Sequence, residues 1–487
     1  MNENLRVMKF GGTSVGDAEC IRRTAEIVAA AARQAPVVAV VSAMGGVTNR
    51  LISAAQAAEQ GDEQIGAAIA GDLRSLHATA ISALIKDTAA RAQLTAETES
   101  ILQEVSNLCR GTALLRELTP RTLDAISSSG ERLSARLLAA ALCALGSPSL
   151  AVDATELIVT GSEHGQAEPL MAETRERASE RLLPLLTSGQ IPVVTGFIGA
   201  TAQGVLTTLG RGGSDYSATI LGAALGAAEI IIWTDVDGVL SADPRLVPEA
   251  RLLREISYAE AAELAYFGAK VLHPKTLRPV AEAGIPVWIR NSFAPEKPGT
   301  KITRTGRPAE SGVKAITSIS NVSLITLGGA GIVGVIGVAA KTFTAVADVR
   351  ANVLLISQAS SGNDICFIVE SGDAQRVVAA LRQAFAADLA HHQVEHITVD
   401  PLIAIVAVVG ERMRGTPGIA GRVFSALGKE SVNIIAVAQG SSEYNVSFVV
   451  EASLMQTAVK AIHREFDLQR SNAILTDSQN GLATPAR

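Results

Sequence analysis

The apolar positions of this chain form short runs, each ending in a polar, glycine-bearing stretch. Leu5, Val7 and Met8 predict a buried parallel strand leading into Lys9-Phe10-Gly11-Gly12-Thr13-Ser14-Val15-Gly16. Val37 to Val41 predicts a second strand, which delivers Ser42 and the flexible Ala43 to Asn49. Further strands are predicted at Leu150 to Val152, Ile191 to Ile198, Ile230 to Trp233 and Val287 to Arg290. Between them, Asp17 caps a helix over Ala18 to Arg33 with Ile21 and Val28 on one face. Residues 51–118 predict a pair of long helices, Ile126 to Ser134 leads into a helical Ala135 to Leu145, and Ser257 caps a helix through Phe267. Alternating strands and helices predict an open α/β sheet, in which ligands bind at the carboxyl edge of the strands.

A change of composition at the Pro/Gly-rich Phe293 to Pro308 predicts a domain boundary. Beyond it the chain repeats itself without gaps at an offset of 81 (439 − 358): Gly329 matches Gly410, Gly337 matches Gly418, Phe343 matches Phe424, Asn352 matches Asn433, Gln358 matches Gln439 and Glu370 matches Glu451. Two tandem copies of one small domain are predicted, each read as strand, glycine-rich loop, helix, strand, turn, strand and helix. The uncharged stretch between Lys314 and Lys341 is long enough to cross a bilayer. Its counterpart in the second copy carries Glu411, Arg412 and Arg414, so the stretch is read as a strand and a packed loop-helix.

The chain's 487 residues are too many for one core and predict two or three domains. A net charge of −6 without a basic run argues against a nucleic-acid binder. Four scattered cysteines, Cys20, Cys109, Cys143 and Cys366, form neither CxxC pairs nor clusters with His, so neither a disulfide framework nor a metal site is expected. A reducing cytoplasm fits best, and the short first apolar stretch, interrupted by Arg6 and Lys9, does not read as a signal peptide.

The glycine pair after the first strand lets the backbone turn sharply, crowding amide N–H groups, the hydroxyls of Thr13 and Ser14 and the Lys9 ammonium into a site suited to oligophosphate. The lysine precedes the glycines, so this is not a Walker A loop. Alone, the octapeptide is equally compatible with an ordinary strand-turn-helix and a solvated lysine. Glu131 falls in the first turn of its helix, where a glutamate is more often a cap than a ligand. Gly210-Arg211-Gly212-Gly213-Ser214-Asp215 begins like a dinucleotide fingerprint but puts Asp215 where a third glycine should be, opposing pyrophosphate. Arg211 is better suited to fork a small carboxylate. Lys270, at a glycine-marked helix end, is equally explained by the helix dipole.

Lys9 to Val15, Ser42 to Asn49, Ser129-Gly130-Glu131, Gly210 to Tyr216, Trp233 to Gly238, Asp243-Pro244-Arg245 and Phe267 to Pro274, in this order, make the chain resemble the aspartokinases of the amino acid kinase family over nearly its whole length. The tandem units resemble ACT domains, and the stretches around Gln358 and Gln439 are most similar to the kinase half of bifunctional aspartokinase-homoserine dehydrogenases, without the dehydrogenase half. The resemblance implies an amino acid kinase-like (carbamate kinase-like) mostly parallel sheet with helices on both faces over residues 1–300. A linker at 301–314, ferredoxin-like ACT domains at 315–398 and 399–480, and a tail at 481–487 would follow.

It further implies phosphorylation of L-aspartate by ATP with Mg²⁺, the first step towards lysine, threonine and methionine. Lys9, Asp215 and Lys270 would be catalytic, and Ser42, Thr48, Glu131 and Arg211 would hold aspartate. Lys9, Gly11, Gly12, Thr234, Asp235, Leu240, Arg245, Lys270 and Val271 would surround the nucleotide, Leu240 standing where several relatives carry an aromatic residue. Asn352, Gln358, Asn433 and Gln439 would receive an inhibitory amino acid, threonine ahead of lysine, in a homo-oligomer assembled through the ACT domains. No protein-held metal, nucleic acid or membrane is implied.

Overall fold

The computed structural model describes residues 4–268, 272–307, 309, 311–358, 363–440 and 444–469. Contacts divide the chain into two units. The first holds residues 1–239, 254–262 and 270–307, and the second holds 240–253, 263–269 and 308–487.

The first unit contains eleven strands among its described residues: β1 (Arg6–Phe10), β2 (Val37–Val41), β3 (Ser149–Val152), β4 (Val159–Thr160), β5 (Ile191–Thr195), β6 (Ile198–Thr201), β7 (Leu206–Thr208), β8 (Glu229–Thr234), β9 (Glu255–Ser257), β10 (Val287–Asn291) and β11 (Thr300–Thr303). Eight form one sheet in the order β3-β5-β2-β1-β8-β10-β11-β9, parallel except where β10 meets β11. The remaining three, β4-β6-β7, make a small second sheet.

All five residues of β2 are buried, as a strand covered on both faces requires. Each such valine contributes about 1.5–3 kcal/mol through burial. Helices Ala18–Ala32 and Ser129–Ala144 pack on one face, backed by further helices, while Met171–Thr187, Gly213–Leu225 and Pro274–Ala283 occupy the other. The ladder aligns Thr195, Val41, Phe10 and Trp233, so the loops after β5, β2, β1 and β8 leave the sheet side by side.

Several expectations are corrected. Residues 51–118 span the end of one helix and two more, Val47–Glu59, Ile65–Leu84 and Thr88–Leu115, rather than a pair. The first break comes at Gly61, whose φ is +95°, and the second before Thr88, where the Asp87 carboxylate caps the third helix by accepting from the Ala90 amide. The run Ile191 to Ile198 is two strands, because Phe197 takes a left-handed φ of +70°. The sheet also continues past residue 300 through β11. Asp17 caps its helix as expected, accepting from the Cys20 amide at 2.8 Å. At Ser257 the cap is reciprocal: its hydroxyl accepts from the Glu260 amide while the Glu260 carboxylate accepts from the Ser257 amide.

In the second unit the strands and longer helices of the repeat correspond one to one. Strands β12 (Ala315–Gly328), β13 (Leu355–Gln358) and β14 (Asp364–Glu370) with helices Val338–Asp348 and Ala374–Ala384 recur as β15 (His396–Val409), β16 (Ala436–Ala438) and β17 (Asn445–Glu451) with helices Ile419–Lys429 and Met455–Glu465. The copies share one antiparallel sheet, β13-β14-β12-β15-β17-β16, joined along the long central strands. β15 runs continuously through residues 398 and 399. The uncharged stretch after Lys314 is β12, a short turn and the start of a helix, and no described helix is long and apolar enough to cross a membrane.

Candidate active site

Lys9 lies on β1, one residue before the sheet edge, and is only 9% exposed. Its ammonium Nζ pairs with Asp215 Oδ1 at 2.6 Å. Asp215 stands in the first turn of helix Gly213–Leu225, whose N-terminal cap, Gly212, has φ +70°. An acid there is favoured by the helix dipole and at the same time holds the lysine.

The glycines after Lys9 do not serve as expected: Gly11 has an ordinary φ of −72° and Gly12 opens a 3-10 turn over Gly12–Val15. Space is the reason for Gly12, since a Cβ there would lie 3.0 Å from the Ala43 carbonyl oxygen. The first amides of that turn have no intrahelical acceptor and suit an anion. Ser14 is withdrawn from the expected phosphate site, because its hydroxyl is buried against Ser292 Oγ at 2.8 Å.

A cavity of about 600 Å³ is lined by Lys9, Ser42, Thr48, Glu131, Arg211 and Asp215, together with the glycine loops at 45–46 and 210–213. An adjoining cavity of about 390 Å³ is lined by Lys9, Gly11, Gly12, Thr13, Asp215, Thr234 and Asp235 and shares Lys9, Gly12, Gly45, Gly46 and Asp215 with the first. Two ligands in the two cavities would meet at Lys9.

Glu131 is 3% exposed. One carboxylate oxygen, Oε1, accepts from the Ala43 amide at 3.1 Å, whereas Oε2 is buried with no partner among the described residues. From the first turn of its helix it thus reaches across to the loop after β2. Burial pushes its carboxyl up to about 8, opposed by the Ala43 amide and the nearby Lys9 charge. Helix Ser129–Ala144 comes this close because residue 130 is glycine, where a Cβ would meet Ala43 Cβ at 2.6 Å. Arg211 is exposed at the cavity mouth.

Leu240 and Arg245 belong to the second unit. Their segment is fastened there by Ser241, whose hydroxyl contacts His463 Nε2 at 3.0 Å and whose carbonyl accepts from the Ile316 amide at 2.8 Å. Arg245 is engaged by Asp243 at 2.6 Å. Lys270 and Val271 lie outside the described residues. Asn352, Gln358, Asn433 and Gln439 are all exposed, Gln358 ending β13 and Gln439 following β16. No cluster of three or more metal-ligating side chains occurs among the described residues.

Asp124 was not foreseen. It is 3% exposed and accepts from His164 Nδ1 (2.7 Å), the Gly165 amide (3.1 Å), the Thr208 amide (3.2 Å) and Thr208 Oγ1 (2.6 Å). Thr208 precedes Gly210-Arg211, so this carboxylate holds the root of the arginine loop. A buried acid within a short helix of mixed pattern was the only signal. Asp124→Ala should destabilise the protein by roughly 3 kcal/mol, because four donors lose their acceptor. Chemical denaturation measures the loss.

The amino acid kinase family model matches residues 4–291, and an ACT domain model matches 325–385 and again 406–466. The bifunctional aspartokinase/homoserine dehydrogenase 1 of Arabidopsis thaliana chloroplasts is 38% identical over 474 residues, covering 96% of this chain and 51% of that protein. The chain thus spans about half the length of such curated relatives. Chloroplastic aspartokinase 1 of Arabidopsis thaliana is 34% identical, covering 94% of this chain and 80% of the relative. Among solved structures, E. coli aspartokinase III in complex with aspartate and ADP (R-state) superposes with a TM-score of 0.78 at 31% identity, covering 95% of this chain and 99% of that one. Its complex with lysine and aspartate (T-state) gives the same score, identity and coverage. With a kinase-family match over more than half its length and such identity across most of an aspartokinase, this chain belongs to the aspartokinases of the amino acid kinase family and carries two ACT domains.

Proposed function

We propose that the chain transfers the γ-phosphoryl group of ATP to the side-chain carboxylate of L-aspartate, giving ADP and 4-phospho-L-aspartate. The observation that carries this reading is the buried Glu131 Oε2, without a partner among the described residues, in one cavity with Arg211, Ser42, Thr48 and Lys9. A deeply buried acceptor calls for a donor, and the ammonium of an amino acid supplies one. Arg211 at the mouth then takes the α-carboxylate through two parallel hydrogen bonds.

The acceptor carboxylate, with an ordinary pKa of about 3.9, is ionised at neutral pH and needs no general base. Its oxygen forms a bond to the γ-phosphorus as the bond to the β,γ-bridging oxygen breaks, and the electron pair leaves with ADP. The obstacle is repulsion between two anions. Lys9, where the two cavities meet, offsets it, Asp215 fixes the Lys9 ammonium, and the first amides of the Gly12–Val15 turn cradle phosphate.

Mg²⁺, when bound, supplies charge on the phosphates. Asp215 and Asp235, which line the nucleotide-side cavity, are the carboxylates that would face an ion arriving with the nucleotide. Thr234 and Asp235 line the nucleotide side, and Leu240, Arg245, Lys270 and Val271 are assigned to the same ligand by resemblance.

The proposed effector is threonine, with lysine second, received by Gln358 and Gln439 and flanked by Asn352 and Asn433. The side-chain amides can both donate to and accept from an amino acid. The lysine-bound E. coli aspartokinase III supports an amino-acid effector as a class. Gln358→Ala combined with Gln439→Ala is expected to abolish inhibition while leaving uninhibited turnover unchanged. Retained inhibition by every candidate would contradict the placement.

The reading as a whole is tested by ADP release with L-aspartate, L-glutamate and N-acetylated amino acids, each with and without threonine, lysine and methionine. Turnover should depend on L-aspartate, and preference for an N-acetylated substrate would overturn it, because a neutral amide leaves Glu131 unpaired.

A further inference from the structure

The first unit contains a groove of about 570 Å³ that shares no lining residue with the two cavities above. Its walls are helix Ala18–Ala32, through Arg23 and Glu26, and strands β8 and β10, through Trp233, Trp288 and Arg290. Both tryptophans of the chain are here.

Three donors in these walls, Trp233 Nε1, Trp288 Nε1 and Arg290 Nε, are buried with no acceptor among the described residues. Trp233 is only 3% exposed. The Arg290 guanidinium lies 5.4 Å from the centre of the Trp233 ring and 6.0 Å from that of Trp288. The acids nearby do not satisfy these groups: Glu229 is committed to Arg6 at 2.8 Å, and Glu26 is exposed at the rim. Buried N–H groups rarely go without acceptors in a folded protein, so three in one groove describe a complement of fixed chemistry. That complement carries acceptor oxygens, a negative charge for Arg290 and a flat apolar body for the indole faces.

We infer that this groove is a second ligand site, for a flat organic carboxylate whose oxygens accept from Arg290 and the indole N–H groups while its body lies against Trp288. Trp233 immediately precedes Thr234 and pairs in register with Phe10, the residue before Gly11. A ligand here therefore touches the strands that carry the nucleotide-side loops.

The reporter is built in, because both tryptophans of the chain line this groove. Benzoate, titrated with and without excess ADP and L-aspartate, should give one saturable change with the same apparent Kd in both. Neutral benzamide should give none, and Arg290→Gln should weaken benzoate by about tenfold or more. No saturable response, equal responses to benzoate and benzamide, loss of the response with ADP and L-aspartate present, or an unchanged Kd in Arg290→Gln would each overturn the site. Should Arg290→Gln fail to fold, the comparison of benzoate with benzamide on the native chain still decides.

Discussion

Lys9→Met is expected to lower kcat about 10³-fold while leaving KM for L-aspartate within a few-fold of the native value. Methionine matches the lysine stem in length, so the β1 position stays filled and the positive charge is what is lost. A fixed cation at a transferring phosphoryl group is commonly worth 10²-fold or more, because it acts in a site where water cannot substitute for it. The variant also leaves Asp215 without the ammonium that sits 2.6 Å away, which should cost roughly 1–3 kcal/mol of stability. That cost separates two roles. In Lys9→Met combined with Asp215→Asn the stability should return and the activity should not. Recovery of turnover in the double variant would mean that Lys9 serves only to neutralise Asp215.

Glu131→Gln should raise KM for L-aspartate about 100-fold, since an ammonium loses its one buried counter-charge. The pH dependence carries more information than the magnitude. With its carboxyl raised to about 8, Glu131 is protonated in the ligand-free protein at neutral pH, and binding an ammonium requires it to ionise. The native KM should therefore fall as pH rises towards about 8, and the Gln variant should lose that slope.

Stability moves the other way. The folded carboxyl titrates above its ordinary value of 4.5, so the folded state holds a proton that the unfolded chain releases between 4.5 and about 8. The contribution is complete below 4.5 and lost as pH rises through about 8. Thermal melts of the ligand-free protein should show this loss, and Glu131→Gln should flatten it. Parallel melting profiles for the two proteins would contradict the burial of this charge.

Much of the fold could be read in advance because its signals are local. The strand carrying Lys9, the strand delivering Ser42 and the strand before Thr234 are apolar runs that can be buried only in a covered parallel sheet, and their common edge follows from that. Position in the first turn alone marked Glu131 as a cap and its place beside a substrate came from resemblance, while Arg211 suited a small carboxylate by residue type; both line one cavity. The 81-residue offset anticipated every paired element of the second unit. What stayed hidden is long-range. Nothing near Asp215 announces that its partner is Lys9, and nothing near Asp124 announces Thr208 and His164. The role of Gly12 is steric and depends on where Ala43 lies, so a turn rule misjudged it. The break at Phe197 is a left-handed residue that carries no glycine signature.

The proposed selection of an acceptor with a free ammonium by Glu131, which shares a cavity with Lys9, is tested most directly by trapping the acyl phosphate. ATP and hydroxylamine are incubated with the protein and either L-aspartate or succinate, which lacks only the amino group. Hydroxamate should form at a high rate with L-aspartate and at a rate lower by about 100-fold or more with succinate. Equal rates with the two acids, or no hydroxamate with L-aspartate, would contradict the account.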